Sequence, residues 1–447
     1  MRSYRGMMLA VMLAFSLGAL GICPVLQSSV TDGGLISPAN QFELAYTHHD
    51  AIWIQSNQDM IDQADDESWP GDGSAENPFI ITGFSFDSDT QPLRIWNTDL
   101  YWVFTGNLVD SDLTDQQCGT WLDGVENGVI TDNIFRHRHA GMYILNVENV
   151  NITNNEIYDN LGYGMEFGGW IQRCNVSGNT IYDCPNGAIR VPAGTFNSTI
   201  IGNTIYDCTG GITLLGSVQK SIISHNQIDE VTATGIAIAM ARDSTVSFNT
   251  VTNATDNGIQ ITGSTNSLVA NNTIISSDED GIATSYLDES TIEYNSIVDC
   301  SEVGIKVVSG ENSTIQWNTV EGCTGYALEL AANAESMKVN YNTFIDNSVA
   351  CQIYDDGTTN DISFNYYSDW TSPDNDANGI VDSPYSVHGD VENADPYPLT
   401  VAGVIPEIET PTTTPETPAP IPMELVVLGA GAVLAIIIVA GVVLKKR

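Results

Sequence analysis

The sequence predicts an all-β chain wound as a right-handed parallel β-helix, a solenoid of about 11–12 coils of 22–26 residues. An N-terminal cap, a stalk and a single C-terminal transmembrane helix complete it. Three observations predict the fold. Asn107, Asn133, Asn155, Asn179, Asn203, Asn226, Asn249, Asn272, Asn295, Asn318, Asn342 and Asn365 recur at spacings of 26, 22, 24, 24, 23, 23, 23, 23, 23, 24 and 23 residues. Each has a β-branched or aromatic residue three positions before it, from Phe104 to Ile362, and another two positions after it, from Val109 to Tyr367. Eight or nine residues after most of these anchors a glycine opens a short apolar run, as at Gly141, Gly164, Gly187, Gly211, Gly235, Gly258, Gly281 and Gly304.

Each repeat therefore reads as three short strands joined by tight bends. Leucine-rich repeats share the period, but no leucine occupies any of the 24 flanking positions. β-Branched and aromatic residues suit a packed, pleated surface instead. Strands of successive coils then stack at about 4.8 Å, and eleven steps make a rod of about 50 Å. Asparagine tolerates the left-handed backbone of a sharp bend, and its amide can hydrogen-bond its counterparts above and below as a ladder. The right hand follows from the preference of parallel crossovers.

The Asn-x-[Ile/Val] anchors with their Gly-Ile runs resemble the repeats of the NosD-like group, within the wider class of carbohydrate-binding and sugar-hydrolase β-helices. The resemblance runs from about His48 to Leu399. Gly71-Asp72-Gly73 followed by Asn77-Pro78-Phe79-Ile80-Ile81 is similar to the segment that precedes the first coil in that group. Asn365-Tyr366-Tyr367-Ser368-Asp369-Trp370 and Asp395-Pro396-Tyr397-Pro398-Leu399 are similar to its closing segment, with Tyr367 where tryptophan is usual. The resemblance also raises copper delivery. Met142 and Met165 fall in core-facing runs, however, and the histidines form no second ligand cluster.

Taken in order, residues 1–28 read as a secretory signal, with Arg2 and Arg5 before an apolar stretch too short to span a bilayer comfortably. Residues 29–92 form the cap and lead-in; Ser56-Asn57-Gln58-Asp59 reads as the start of a capped helical turn. Residues 93–370 are the coils, and no long polar linker divides them. Six sequons, at Asn151, Asn175, Asn197, Asn253, Asn271 and Asn312, fit an exported and glycosylated surface, although an Asn/Thr/Ser-rich repeat generates sequons anyway. Export sets an oxidising context for the cysteines. Cys184 and Cys208, like Cys300 and Cys323, stand five residues after adjacent anchors, as disulfides across coils or as stacked thiols.

Residues 371–402 close the solenoid. Within them Asp374, Asp376, Asn378, Gly379, the Ile380 carbonyl and Asp382 occupy positions 1, 3, 5, 6, 7 and 9 of an EF-hand-type calcium loop. Tyr385, at position 12, cannot coordinate, so a polar cap without metal is the alternative. Residues 403–422 are a Pro/Thr-rich stalk, 423–444 a transmembrane helix whose twenty uncharged residues, 425–444, are long enough to span a bilayer, and 445–447 a basic tail expected to stay cytoplasmic. The chain is thus expected at the cell membrane, single-pass, with its solenoid outside.

A net charge of −42 with 14 Lys and Arg excludes nucleic acid as a partner. His137, Asp159, Asp183, Asp207 and Glu230 each stand four residues after an anchor. As a cation-lined groove, this column would serve a calcium-dependent polysaccharide lyase or epimerase, with His137 as base, Arg138 neutralising the substrate carboxylate and Asp159 and Asp183 beside them. As a solvent-facing bend it would do nothing, and Asp299 and Asp346 resume it. Glu166 with Arg190, and Lys306 with Glu329, read as surface pairs across coils. Trp96, Trp102, Trp121 and Trp170 either stack on sugars or fill the first coils. The reading these residues support is a surface-anchored β-helix that binds extracellular glycans or cell-envelope polymers.

Overall fold

The computed structural model describes residues 46–87, 91–111, 117–347, 351–389 and 391–404. The segments read as signal, transmembrane helix and basic tail, and nearly all of the stalk, lie outside the described residues. Among the described residues no helix is long and apolar enough to cross a membrane.

Each coil contributes to three parallel sheets, with one strand in most cases and two short ones in sheet 2 for the coils between Met142 and Gln219. Sheet 1 has 14 strands, from Thr47–His48 to Tyr366–Tyr367, and holds the residues that follow the anchors. Sheet 2 runs from Ile52–Ile54 to Ile353–Asp355 and holds the apolar runs opened by glycine. Sheet 3 has 13 strands, from Phe79–Thr82 to Asp361–Ser363, and holds the residues that precede the anchors. Apart from a shift between Val307 and Ser309, register is residue for residue: Ile152 pairs Val176, and Ile181 pairs Ile205. The inward positions, such as Ile157, Ile181 and Ile205, therefore stack into one continuous core, each at most 1% exposed. Glycine opens each sheet-2 run because the bend is crowded. A Cβ on Gly258 would lie 2.4 Å from Ile274 Cγ2 and 2.8 Å from the Gly281 carbonyl.

The anchor asparagines are buried and form the expected ladder. Asn226 receives hydrogen bonds on Oδ1 from the backbone N–H (3.0 Å) and the Nδ2 (2.9 Å) of Asn203. Its own Nδ2 donates to the Ile200 carbonyl at 3.0 Å and to Asn249 Oδ1 at 2.9 Å. The backbone differs from expectation in one respect. The left-handed residue is not the asparagine but the one before it, with φ between 54° at Asn154 and 66° at Gly202 in all twelve coils. The bend turns just before the ladder, which leaves the asparagine free to point inward. A second, serine ladder stands at the bend before sheet 3: Ser198, Ser221, Ser244, Ser267, Ser290 and Ser313 each accept the backbone N–H of the preceding rung.

Both ends are closed. At the start, helix α1 (Asn57–Glu67) is capped by Ser56, which accepts from the Asp59 N–H, and lays Met60 and Ala64 on the first coil. At the other end, an antiparallel pair, Tyr385–Ser386 with Ala394–Asp395, returns over the last coil. There Asp395 takes the place of a thirteenth asparagine. Its Oδ2 accepts from the Asn365 N–H at 2.9 Å and from Tyr367 Oη at 3.1 Å, and its Oδ1 from the N–H groups of Phe364 and Tyr397. The disulfide alternative is not realised: Cys184, Cys208, Cys300 and Cys323 are free thiols stacked on adjacent coils.

Removing one rung breaks several buried hydrogen bonds. Asn249→Ala takes the acceptor from the Asn226 N–H, leaves Asn226 Nδ2 with the Ile200 carbonyl alone, and removes the side-chain donor to the Ile223 carbonyl. The expected loss is roughly 3 kcal/mol, measured by chemical denaturation of the segment from about residue 47 to 402.

Candidate functional site

The column after the anchors is a row of bends. His137, Asp159, Asp183, Asp207, Glu230, Asp299 and Asp346 all have φ between 50° and 57°. Aspartate and asparagine tolerate that conformation, which explains their recurrence without invoking chemistry. His137 Nδ1 is hydrogen-bonded to Asp110 Oδ1 at 2.7 Å, and its Nε2 lies 3.9 Å from Asp159 Oδ2. Arg136 pairs with Asp110 at 2.7 Å. Asp183 is raised above the usual carboxylate range by burial, with the charges of Asp159 and Asp207 adding to it.

Arg138 contradicts the expectation that it meets substrate. Its side chain is wholly buried, and its guanidinium donates inward to the main-chain carbonyls of Asp110 and Phe86. Asp110, which lies outside the anchor pattern at the end of a strand, is what organises this corner. Burial alone would raise its carboxyl, but hydrogen bonds from Arg136 and His137 and the Arg136 charge hold it below the usual range.

The tryptophans sort differently. Trp102 is a core residue, wholly buried, with Gly128 making room for its ring, so the sugar-stacking expectation fails for it. Trp170 is exposed and, at the start of its own strand, pairs with Gly194 on the next coil. Trp96 and Trp121 face outward from sheet 2 and meet at 5.9 Å, edge to face. Between them lies Arg94. Its guanidinium carbon sits 4.2 Å from the Trp96 ring, 4.8 Å from Trp121 and 5.4 Å from Trp53, whose indole is half exposed. Tyr143 extends the group, 5.5 Å from Trp121.

Strand register explains why these residues converge. Trp53, Arg94, Trp121 and Tyr143 are direct neighbours on four successive strands of sheet 2, all on its outer face. Among the described residues Arg94 makes no ion pair. Arg94 Nε, Trp96 Nε1, Trp121 Nε1 and Gln91 Nε2 are buried donors without acceptors. A guanidinium held by three indoles, one of them half exposed, suits a ligand that brings an oxygen acceptor and an apolar face.

Further along the same face the column continues through Glu166 and Arg190, paired at 3.0 Å as expected. Lys306, expected to pair with Glu329, instead reaches Asp280 at 3.4 Å across the floor of an open cleft of about 270 Å³. Glu279 and Glu302 also line it. Burial pushes Asp280 up, and likewise Glu329 beside Lys306 in the register. Asp280 escapes a sequence reading because it stands just before the repeat glycine, where Asn257 and Val303 are its equivalents.

In the closing segment, carboxylate oxygens of Asp374, Asp376 and Asp382 lie within 4.8 Å of one another. Asp374 accepts from the N–H groups of Asn378 and Gly379, and Asn378 Oδ1 from the Ile380 N–H, so the loop wraps around its own acids. Three hard oxygen ligands on one tight loop fit calcium; they do not fit copper. Tyr385, by contrast, faces the core and stacks on Tyr367.

Two families match the chain. The one described as "Right handed beta helix region" matches residues 93–251, and the one described as "Periplasmic copper-binding protein (NosD)" matches residues 193–389. The repeats are NosD-like right-handed β-helix repeats. No curated protein matches the chain. The NosD-like solenoid is similar to the solved Agl-KA catalytic domain, with 15% identity and TM-score 0.41, over 64% of this chain and 59% of that one. It is also similar to the catalytic unit of a thermostable GH87 alpha-1,3-glucanase from Streptomyces thermodiastaticus strain HF3-3, with 11% identity and TM-score 0.38, over 64% and 61%. A third is the A-module of the mannuronan C-5 epimerase AlgE4 from Azotobacter vinelandii, with 13% identity and TM-score 0.40, over 70% and 95%. The chain spans about six-tenths of the length of the first two, and nothing about activity follows from likeness at these values.

The Asp110 corner carries its own test. A carboxyl held below its unfolded value of 3.8 adds stability that is full above that value and lost as pH falls through the folded one. The thermal midpoint of the wild-type protein is expected to fall on acidification below about pH 4. Asp110→Asn should be less stable at neutral pH and show a flatter acid limb.

Proposed function

We propose that this chain binds glycans on the outer face of sheet 2, with the Arg94 cluster as the primary contact. The observation that carries this reading is an arginine without a carboxylate partner, clamped among Trp53, Trp96 and Trp121, in a chain of net charge −42. In so acidic a protein an unpaired guanidinium would find a carboxylate if its role were structural. Held between indoles instead, its outer edge is available to a carboxylate or hydroxyl of a ligand, and the half-exposed Trp53 face can cover a sugar ring.

The same net charge opposes densely charged polyuronates and favours neutral chains with sparse carboxylates. A calcium-dependent lyase or epimerase gains nothing from Arg138, which faces away from solvent. A copper role gains nothing from the all-carboxylate cluster of the closing loop. We place the solenoid outside the cell, carried on the Pro/Thr-rich stalk by residues 423–444, and assign calcium to the loop of Asp374, Asp376, Asn378, Ile380 and Asp382.

The binding test is retention of the soluble segment, from about residue 47 to 402, on immobilised neutral, sparsely carboxylated and polyuronate polymers. Wild-type protein is expected to be retained by a sparsely carboxylated polymer such as glucuronoxylan. Arg94→Ala should weaken retention by about tenfold or more, and Arg94→Lys should rescue little, because an ammonium cannot replace a planar fork held between rings. Equal retention of Arg94→Ala sinks the proposal, as does product formation that depends on His137.

The calcium assignment is tested by the thermal midpoint with calcium and with chelator. Calcium at about a hundredfold above its dissociation constant should add about 2.7 kcal/mol to wild-type stability and nothing to Asp376→Asn. A midpoint indifferent to calcium removes the assignment.

A further inference from the structure

The bends just before the asparagine ladder form an outward column of their own: Asp132, Asn154, Gly178 and Gly202, then His225, Phe248, Asn271, Tyr294, Trp317, Tyr341 and Phe364. Left-handed backbone favours glycine, asparagine and aspartate, as at Gly106, Asp132, Asn154, Gly178 and Gly202, and costs a bulky residue roughly 1–2 kcal/mol. From His225 onward the column nevertheless turns aromatic. The rings stack: His225 on Phe248 at 5.0 Å, Tyr294 on Trp317 at 6.2 Å, Trp317 on Tyr341 at 4.6 Å, Tyr341 on Phe364 at 5.6 Å, and Phe364 on Tyr397 at 5.1 Å. Face-to-face contact offsets the backbone cost.

One coil interrupts the stack, and there the residue is Asn271. Phe248 and Tyr294 flank it two coil steps apart, about 10 Å. Each has one face covered by its stacked neighbour and the other turned toward the gap. Both are 52% exposed, whereas Trp317, Tyr341 and Phe364 within the stack are only partly exposed. The Asn271 side chain is exposed and makes no hydrogen bond among the described residues. Two ring half-thicknesses leave a slot of about one saturated six-membered ring, open to solvent and walled by apolar faces.

Asn271-Asn272-Thr273 is a sequon. We infer that Asn271 is a site of N-glycosylation whose first sugar seats between Phe248 and Tyr294 and completes the aromatic stack. The other sequons lack this seat. Asn151 has Val129 and Asn175 as its register neighbours. Asn175 is held by Ser177 and Thr199, and Asn253 Nδ2 donates to Asp229. Asn197 and Asn312 owe their sequons to a left-handed asparagine followed by a ladder serine, and their column neighbours, Arg173, Lys220, Glu289 and Ser336, are not aromatic. The donor is a lipid-phosphate-linked oligosaccharide, met outside the membrane after the export expected from the leader. Asn271 Nδ2 forms a bond to C1 of the first sugar, the C1–O bond to phosphate breaks, the lipid phosphate leaves with the bonding pair, and Nδ2 releases one proton. Sugar C–H groups then lie against the Phe248 and Tyr294 faces.

The test uses the full chain with its own leader, secreted from a host that glycosylates Asn-x-Ser/Thr sequons. Peptide mass spectrometry after glycosidase treatment in ¹⁸O water reads occupancy site by site, and thermal midpoints are compared before and after deglycosylation. Asn271 is expected to be occupied, and more fully than Asn175 or Asn253. Removing its glycan should lower the midpoint in wild type, and by much less in Phe248→Ala and Tyr294→Ala. A chain with Asn271 bare, or with no sequon occupied, overturns the inference. So does a deglycosylation shift of equal size in wild type and both ring variants, even with Asn271 occupied.

Discussion

The structure depends on the need to satisfy every polar group at a buried bend. A coil turning back on itself puts backbone N–H groups into the core, where strands cannot reach them, and each left unanswered costs about as much as a sizeable fraction of net stability. The anchor asparagine answers this once per coil. Its oxygen takes the N–H and amide of the coil before, and its nitrogen reaches a carbonyl and the next oxygen. Because the answer comes from the adjacent coil, it forces each coil into the same register as the last. The outward columns follow from that register, and with them the aromatic cluster at Arg94, the carboxylates at the second bend and the ring stack before the ladder.

Almost all of the fold was legible in the sequence, because a solenoid repeats its local solution and the repeat writes a period. The anchors, their flanking apolar residues and the glycines locate the three sheets, and Ser56 signals the cap. The serine ladder was equally legible, five residues before its asparagine from Ser198 to Ser313, yet serine is common enough in this chain to hide a column. The misplaced left-handed residue has a different cause. Asparagine suits both a bend and a ladder, and only geometry shows that the bend belongs to its neighbour, where Phe248 and Trp317 would never be guessed.

The site was legible only in part, since function here departs from the period. Trp96, Trp102 and Trp121 could not be sorted into surface and core rings until Gly128 was seen to make room for Trp102. Arg94 drew no notice because a single arginine carries no pattern. Its meaning arises from Trp53, some forty residues earlier, arriving beside it on the adjacent strand. Arg138 misled for the converse reason: next to a histidine it looked chemical, while its guanidinium binds the main chain of the preceding coil.

Asp395 has a consequence for how such a molecule can change in length. A carboxylate accepts on both oxygens and donates nothing, so the hydrogen-bond relay that asparagines pass from coil to coil ends when it meets one. The terminus is therefore set by where an acceptor-only side chain returns over the last coil, and not by how many coils came before. Duplication or deletion of one whole repeat between Asn155 and Asn342 leaves both caps chemically unchanged. The solenoid is built to be spliced in units of a single coil, and the distance between its N-terminal aromatic cluster and its closing loop is free to drift over evolutionary time.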